Sequence, residues 1–429
     1  MSLIRFAGGA SIAISAFLGA AYAQSLTGSS PGFHYFHKAG YDIEQHDADL
    51  VDCAVAMRAL VNGSDAMTGM AAAAGGGLLP ALIGGVIDNN ENRQGAAANT
   101  ENCMAIRRWS VIGLTSDEGN AMEGPSDAAA IHSKLAPLVN AGEPQGPVLR
   151  GPFANELAIG NFKAGDARDL EEVSLSVRAV SDKTDAAVAA AGQLKPPKPP
   201  KGVKAPKSAK AMKADDLVGA DPANSYAVFR ALGDSLDVNM TSLTIHRLNA
   251  DGTEVVHDGA VATAIIGGLR RTGNEKSGDA RRYDYVVEIP PGLWKIATIA
   301  QGAFAADLCF GAPAFEVGAG ETVFLGAMTI AEAGGYPLEE RNLDAAKEIL
   351  NAAPALAEKV RAAEYTNGFL SDCFGSYAYA YEVPGAPFID LEALARSAAA
   401  APAPDMTEAE PPADGVPQDT SPSELPQEQ

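Results

Sequence analysis

A chain of 429 residues exceeds one core of ordinary size, so two or more domains joined by linkers are expected, each with its own apolar core. Its 54 acidic and 32 basic residues give a formal charge of −22, which favours solubility and argues against nucleic acid as a partner for the body of the protein.

Residues 1–23 read as a secretory signal. Arg5 precedes the uncharged run Phe6 to Ala20, and Ala21-Tyr22-Ala23 closes it with the small-residue pattern of a cleavage site. Cleavage after Ala23 leaves a mature chain that begins at Gln24 and carries a charge of −23, and Gln24 offers no cysteine for a lipid anchor. The expected location is the periplasm, with membrane association or secretion as further fates. In such a compartment disulfides persist. Cys53, Cys103, Cys309 and Cys373 fall as two pairs in separate halves, so the expected bonds are Cys53 with Cys103 and Cys309 with Cys373, with four buried thiols as the alternative. On the chain-entropy model, each closed loop of about fifty to sixty residues stabilises by about 4 kcal/mol.

Residues 24–190 read as a mainly helical domain. From Asp47, the residues Leu50, Cys53, Met57 and Leu60 recur at helical spacing, and Asn62-Gly63 supplies a stop. A second helix is expected from Thr100 to Trp109, and a third from Ser126 as N-cap through Ile131, Leu135 and Leu138. Between the first two, residues 66–87 carry no charge, and Gly69, Ala73, Gly77, Ala81 and Gly85 recur at every fourth position. On a helix these five form a glycine zipper, a face that lets another backbone approach closely. A packed hairpin is one reading of the segment, and membrane insertion or association through this face is the other. A single span would set Cys53 and Cys103 on opposite sides of a bilayer, which favours the hairpin. Further on, Val173 to Val180 reads as a strand, followed by an alanine-rich stretch after Asp185.

The segment 191–220 reads as a linker. Lys195, Lys198, Lys201, Lys204, Lys207, Lys210 and Lys213 stand at every third position among five prolines. Pro196-Pro197 and Pro199-Pro200 forbid an α-helix, whereas polyproline II, with three residues per turn, sets the seven ammonium groups on one edge of a rod of roughly 60 Å. A semi-rigid spacer is the plain reading. Contact with an anionic polymer of the cell envelope is the sharper one, and docking on the chain's own acidic surfaces a third.

Residues 221–392 read as an antiparallel β-sandwich with appended C-terminal helices. Strands are expected at 226–232, 241–248, 253–257, 283–289, 294–299 and 314–328, with turns at Asp251-Gly252, Pro290-Pro291-Gly292 and Gly318-Ala319-Gly320. Helical character returns from Asn342 to Tyr365. Residues 393–429 read as a disordered acidic tail, since Ser397 to Gln429 holds seven acidic and no basic residues among many prolines.

Candidate chemistry is sparse. Gly233-Asp234-Ser235-Leu236 spells the motif of the GDSL esterases and lipases, which makes Ser235 a candidate nucleophile, yet that family needs a histidine base far downstream and none follows His257. A polar turn is the default for Ser235. His34, His37 and His46 lie near Asp42, Glu44, Asp47 and Asp49, a loose grouping without metal-ligand spacing that reads as surface polar residues in a mobile stretch. His132 reads as a helix-surface residue, and His246 and His257 as strand residues. Phosphate-binding and zinc-protease motifs are absent, and no cofactor is expected.

Cys53 and the run Cys103-Met104-Ala105-Ile106-Arg107-Arg108-Trp109 resemble uncharacterised exported proteins of Gram-negative bacteria, which pair an upstream cysteine helix with C-M-x-x-R-x-W across a Gly/Ala-rich insert. Those proteins often read R-G-W, and Arg107-Arg108-Trp109 lacks that glycine, which argues against a turn there. Pro290-Pro291-Gly292-Leu293-Trp294, with Phe315-Glu316-Val317 and Gly320-Glu321-Thr322-Val323-Phe324-Leu325-Gly326, resembles the ending of bacterial β-sandwich envelope domains. The resemblance implies location and architecture and no activity. The functional expectation is a non-enzymatic periplasmic envelope protein with a structural or interaction role. Its expected partners are an anionic envelope polymer or an envelope protein, with no nucleic acid. The alternatives are ester hydrolysis through Ser235 and small-ligand binding by the β-domain.

Overall fold

The computed structural model describes residues 32–58, 90–124, 127–155, 173–192, 194–195, 198, 201–202, 204, 207–234, 241–255, 261–267, 271–277, 280–301, 304–330, 342–374 and 377–390. Contacts divide the chain after Ile389, and every element below belongs to the unit ending there. The fold is mixed α+β, with several sheets. The expected signal, the zipper residues Gly69 to Gly85, Ser235 and the acidic tail lie outside the described residues.

The N-terminal region is largely helical among the described residues, and it also holds a small sheet that the sequence did not lead us to expect. Phe33–His37 (β1) pairs antiparallel with Ser110–Leu114 (β2), and Val148–Arg150 (β3) and Val173–Ser174 (β4) complete a sheet of order β3-β2-β1-β4. All of β1 is buried, as is β2 from Val111 on. Neither strand therefore shows the polar alternation of a half-buried strand.

Among the described residues six helices accompany this sheet: Ile43–Ala56 (α1), Asn90–Ile106 (α2), Ser116–Glu123 (α3), Ala128–Val139 (α4), Leu175–Ala179 (α5) and Ser181–Ala191 (α6). Asp42 caps α1, its Oδ1 accepting the Gln45 N–H at 2.9 Å, and the helix buries Ile43, His46, Asp47, Leu50 and Cys53. The expected second helix begins earlier, at Asn90, and α4 is capped by Asp127, not Ser126, through the Ala130 N–H at 2.8 Å. The strand expected to Val180 stops after two residues, because Ser174 Oγ accepts the Val177 N–H and starts α5. A disulfide joins Cys53 to Cys103, with Cα atoms 5.9 Å apart, and ties α1 to α2.

The remaining elements are Lys207–Lys210 (β5), Ala214–Val218 (α7), Tyr226–Asp234 (β6), Thr241–Leu248 (β7), Val261–Gly267 (β8), Gly273–Ser277 (β9), Ala280–Glu288 (β10), Gly292–Gln301 (β11), Phe304–Asp307 (β12), Ala312–Val317 (β13), Thr322–Ile330 (β14), Leu343–Ile349 (α8), Pro354–Ala357 (α9), Val360–Ala362 (β15), Tyr365–Phe369 (β16) and Tyr377–Ala378 (β17). One sheet has the order β15-β14-β6-β10-β9. The other follows β16-β13-β11-β7-β8-β5, with β12 attached at β11 and β17 at β12. Both sheets are mixed, a correction to the antiparallel expectation: β14 runs parallel to β6 and β15, and β5 parallel to β8.

Alternate residues of β6 enter different cores. Ala227, Phe229 and Ala231 join Ile245, Trp294 and Phe315 of the larger sheet, while Tyr226 and Val228 join Phe324, Ile349 and Leu356. The expected turns are present, with Gly252 at φ 81° after Asp251 and Gly292 at φ 139° after the two prolines. The expected strand at 253–257 reduces to a bridge between Glu254 and Leu248, with residues 256–260 outside the described set. The helical stretch expected from Asn342 to Tyr365 contains α8 and α9 and then turns to strand at Val360. A second disulfide joins Cys309 to Cys373.

Candidate functional site

The densest polar cluster among the described residues forms where α1, α4, α5 and α6 meet. Asp47 and His46 lie on the apolar stripe of α1, so folding the stripe inward carries both side chains into the core. Asp47 Oδ1 lies 3.1 Å from His46 Nδ1, while its Oδ2 receives His132 Nε2 of α4 at 2.9 Å and Lys183 Nζ of α6 at 2.5 Å. His46 Nε2 lies 2.8 Å from Ser176 Oγ, which accepts the Phe36 N–H of β1 at 2.9 Å. The Asp47 carboxylate can only accept, so the neutral imidazole donates from Nδ1 to Asp47, which leaves Nε2 to accept from the Ser176 hydroxyl.

Burial holds the His46 pKa below its ordinary value, against the pull of Asp47. For Asp47 burial acts to raise the pKa, but the hydrogen bonds from His46 and Lys183 outweigh it and the net shift is downward. Ser176, His46 and Asp47 thus have the connectivity of a nucleophile, base and orienting carboxylate. Ser176 and His46 are both 0 % exposed, so no substrate reaches the hydroxyl in this conformation. What the arrangement does is join three helices at one carboxylate and, through His46 and Ser176, a fourth helix and β1.

Beside it, the C-M-x-x-R-x-W run finds its physical roles. Trp109 is fully buried, packs edge-on against His46 with centroids 5.4 Å apart, and donates its indole N–H to Asp49 at 2.7 Å. Arg107 pairs with the other Asp49 oxygen at 2.5 Å. Arg108 takes φ 72°, so a turn is present there with an arginine in the left-handed conformation that favours glycine.

The reading of His34, His37 and His46 as surface residues is corrected, because all three are buried. His37 Nε2 meets the Ala141 carbonyl at 2.8 Å, and His46 serves the cluster above. His132 is only part-exposed, and its ring turns inward to Asp47. No group of three or more metal-ligating side chains is assembled among the described residues. Sequence reasoning missed Ser176 and Lys183, which stand 130 and 136 residues from their partners. Two polar side chains inside an apolar helical stripe were the available signal.

The sheet region buries charge in pairs. Arg230 Nε and Nη2 reach the two Asp284 oxygens at 2.7 and 3.3 Å, and its Nη1 reaches Glu348 of α8 at 3.0 Å. Glu254 receives buried Lys295 at 2.6 Å and His246 at 2.8 Å. Burial acts to raise the Glu254 pKa, but His246 and Lys295 outweigh it and bring it to about 2.

The lysine row departs from a continuous polyproline rod at its C-terminal end. Lys207 and Lys210 belong to β5 at the edge of the larger sheet, and Lys213 precedes α7, its N–H bonded to Asp216. Ala209 and Ala211 alternate inward against the core, which draws this stretch into a ladder. All seven lysines are exposed, and none enters an ion pair among the described residues. Gly233 and Asp234 close β6, while Ser235 itself lies outside the described residues. No helix among the described residues is long and apolar enough to cross a membrane. Comparison with protein-family models, curated proteins and solved structures finds no match to this chain.

Proposed function

We propose that this chain is a non-enzymatic, exported envelope protein of the periplasm, which contacts anionic envelope polymers through Lys195, Lys198, Lys201, Lys204, Lys207, Lys210 and Lys213. In this reading the two mixed sheets form a β-sandwich that serves as an interaction module. One observation carries it: seven exposed lysines stand without a described carboxylate partner in a chain of formal charge −22, where pairing with its own acidic groups was abundantly on offer. Such a row binds polyanions by charge and counterion release, so the contact is salt-dependent and indifferent to monomer sequence. Lys207 and Lys210 have a second effect, since charged residues on an edge strand discourage pairing with other chains. The two disulfides suit an oxidising compartment. Ser176 sealed in the core gives its triad-like geometry a structural part in this reading.

Sedimentation of the mature protein with purified cell-wall sacculi tests the contact. The protein is expected in the pellet at low salt and in the supernatant at high salt, and a Lys→Ser replacement of the whole row is expected to abolish pelleting. Protein that stays in the supernatant at low salt refutes the polymer contact.

A further inference from the structure

Between the N-terminal and sheet regions runs the segment Tyr377–Val383, in which Ala378 to Tyr381 are at most 3 % exposed. Its backbone faces two ways in turn. The Tyr379 N–H bonds Asp307 O at 2.8 Å, the Tyr381 N–H bonds Gly311 O at 2.9 Å, and the Val383 N–H bonds Asn367 Oδ1 at 2.8 Å, all partners in the sheet region. The intervening groups turn to the N-terminal region. The Ala378 N–H bonds Asn99 Oδ1 at 2.7 Å and the Ala378 carbonyl accepts from Asn102 Nδ2 at 3.1 Å. Likewise the Glu382 N–H bonds Asn155 Oδ1 at 2.9 Å, and Asn155 Nδ2 donates back to the Glu382 carbonyl. Each of these two residues is thus held at both backbone groups by asparagine amides, as a neighbouring strand would hold it.

The two attachments differ in kind. On the sheet side the strap has ladder-like main-chain bonds, and it begins next to Cys373, which is bonded to Cys309. On the other side the contacts are side-chain amides and the Tyr379 hydroxyl, which donates to Ala154 O at 3.0 Å, groups for which water substitutes at small net cost, with a small apolar patch where Ala98, Ile106 and Phe153 meet the sheet core and the Phe153 and Tyr379 rings lie 5.6 Å apart. Polar junctions of this type between parts of one chain permit relative motion.

We propose that the N-terminal region docks reversibly on this strap: the asparagine contacts open while the strap stays with the sheet region. The tether for such an opening is the fifteen residues from Gly192 to Pro206, whose fully extended reach is roughly 50 Å. The lysine segment then sets how far the two regions part, and the strap sets whether they do.

Hydrogen–deuterium exchange with single-residue fragmentation, on the oxidised full-length mature protein, decides the matter because alternate amides report on different attachments. After correction for intrinsic rates, Ala378 and Glu382 are expected to exchange at least about tenfold faster than Tyr379, Tyr381 and Val383. Asn155→Ala is expected to speed Ala378 together with Glu382, since docking opens as one event, and Asn99→Ala to speed Glu382 in return. One common rate for all five amides in the unmodified protein overturns the proposal, whatever the variants do. So does an Asn155→Ala effect confined to Glu382.

Discussion

Each half of the molecule holds one buried tryptophan, one disulfide and carboxylates bound by basic side chains, yet the two halves secure those carboxylates differently. In the sheet region the partners are set by strand register: Arg230 stands directly opposite Asp284 in the β6–β10 pair, and Lys295 opposite His246 in the β11–β7 pair, with Glu254 beyond the hairpin closing on both. In the N-terminal region no ladder fixes the partners, and Asp47 alone gathers groups from α1, α4 and α6. A ladder distributes the task over many main-chain bonds, whereas a hub concentrates it. Loss of the hub should therefore loosen several helices at once, and loss of one sheet pair should stay local.

Removing the hub carboxylate is the severest way to break this contrast. Asp47→Ala leaves the buried His46 N–H without its acceptor, a space where the carboxylate stood, and Lys183 and His132 without their shared anion, a loss of about 3 kcal/mol. Trp109 and Trp294 lie one in each region, so urea unfolding followed in Trp294→Phe and Trp109→Phe backgrounds separates the two responses. The Trp109 transition is expected to move to much lower urea and the Trp294 transition to move little. Equal shifts in both would erase the distinction between hub and ladder.

Acid separates the regions without mutation. A histidine whose folded pKa is depressed favours the unfolded chain once that chain can take up the proton, so His46 begins to withdraw stability as pH falls below about 6.5. Glu254 lies at about 2 in the fold against 4.5 for the free group, so its contribution is complete above about 4.5 and disappears as pH falls toward 2. The loss from Glu254 is at most about 3 kcal/mol, reduced by solvent at its part-exposed carboxylate. In an acid titration the Trp109 signal is expected to change at higher pH than the Trp294 signal. The reverse order would mean that the hub is not the acid-sensitive element.

Replacing one partner in the sheet has a smaller consequence. Glu254→Gln keeps the shape and leaves Lys295 facing an uncharged amide, with an expected loss of about 2 kcal/mol in the Trp294 transition and removal of its acid sensitivity between about pH 4.5 and 2. If that acid sensitivity persists in the variant, another carboxylate carries it, and Glu348, held below the usual carboxylate range by its hydrogen bond from Arg230, is the next to test.

How much of this could be read in advance follows from the range of the interactions. The stripe Leu50, Cys53 and Met57 and the turn at Asp251-Gly252 are local patterns, and both appear in the fold as expected. The two disulfides were legible because each pair sits within its own half. β1 and β2 were not, since strands buried on both faces lose the alternation that marks a strand. The histidines were grouped by closeness in number, but His46 is completed by Ser176 and, through Asp47, by His132 and Lys183, and nothing near His46 announces any of them. In Lys207 to Lys213 two periods overlap. Lysine every third residue masked the period-two burial of Ala209 and Ala211, and burial decided the conformation.

Arg108 offers the finest test, because it stands where the two regions meet. A non-glycine residue at φ 72° is disfavoured by about 1 kcal/mol, a strain that glycine would not carry. The side chain offsets it by donating from Nη1 to Phe153 O at 3.1 Å and lying over the Phe153 ring at 5.3 Å. Those contacts are half-exposed and contribute about 0.5–1 kcal/mol. Arg108→Gly removes strain and contacts together, so its Trp109 transition is expected within about 0.5 kcal/mol of the unmodified protein. Arg108→Ala removes the contacts and keeps the strain, and is expected to be about 1 kcal/mol less stable than the glycine variant. The order of the two variants is the measurement that matters: alanine as stable as glycine would mean that the turn relaxes once the arginine is gone, and that the Phe153 contact, not the chain path after α2, holds Arg108 in its left-handed conformation.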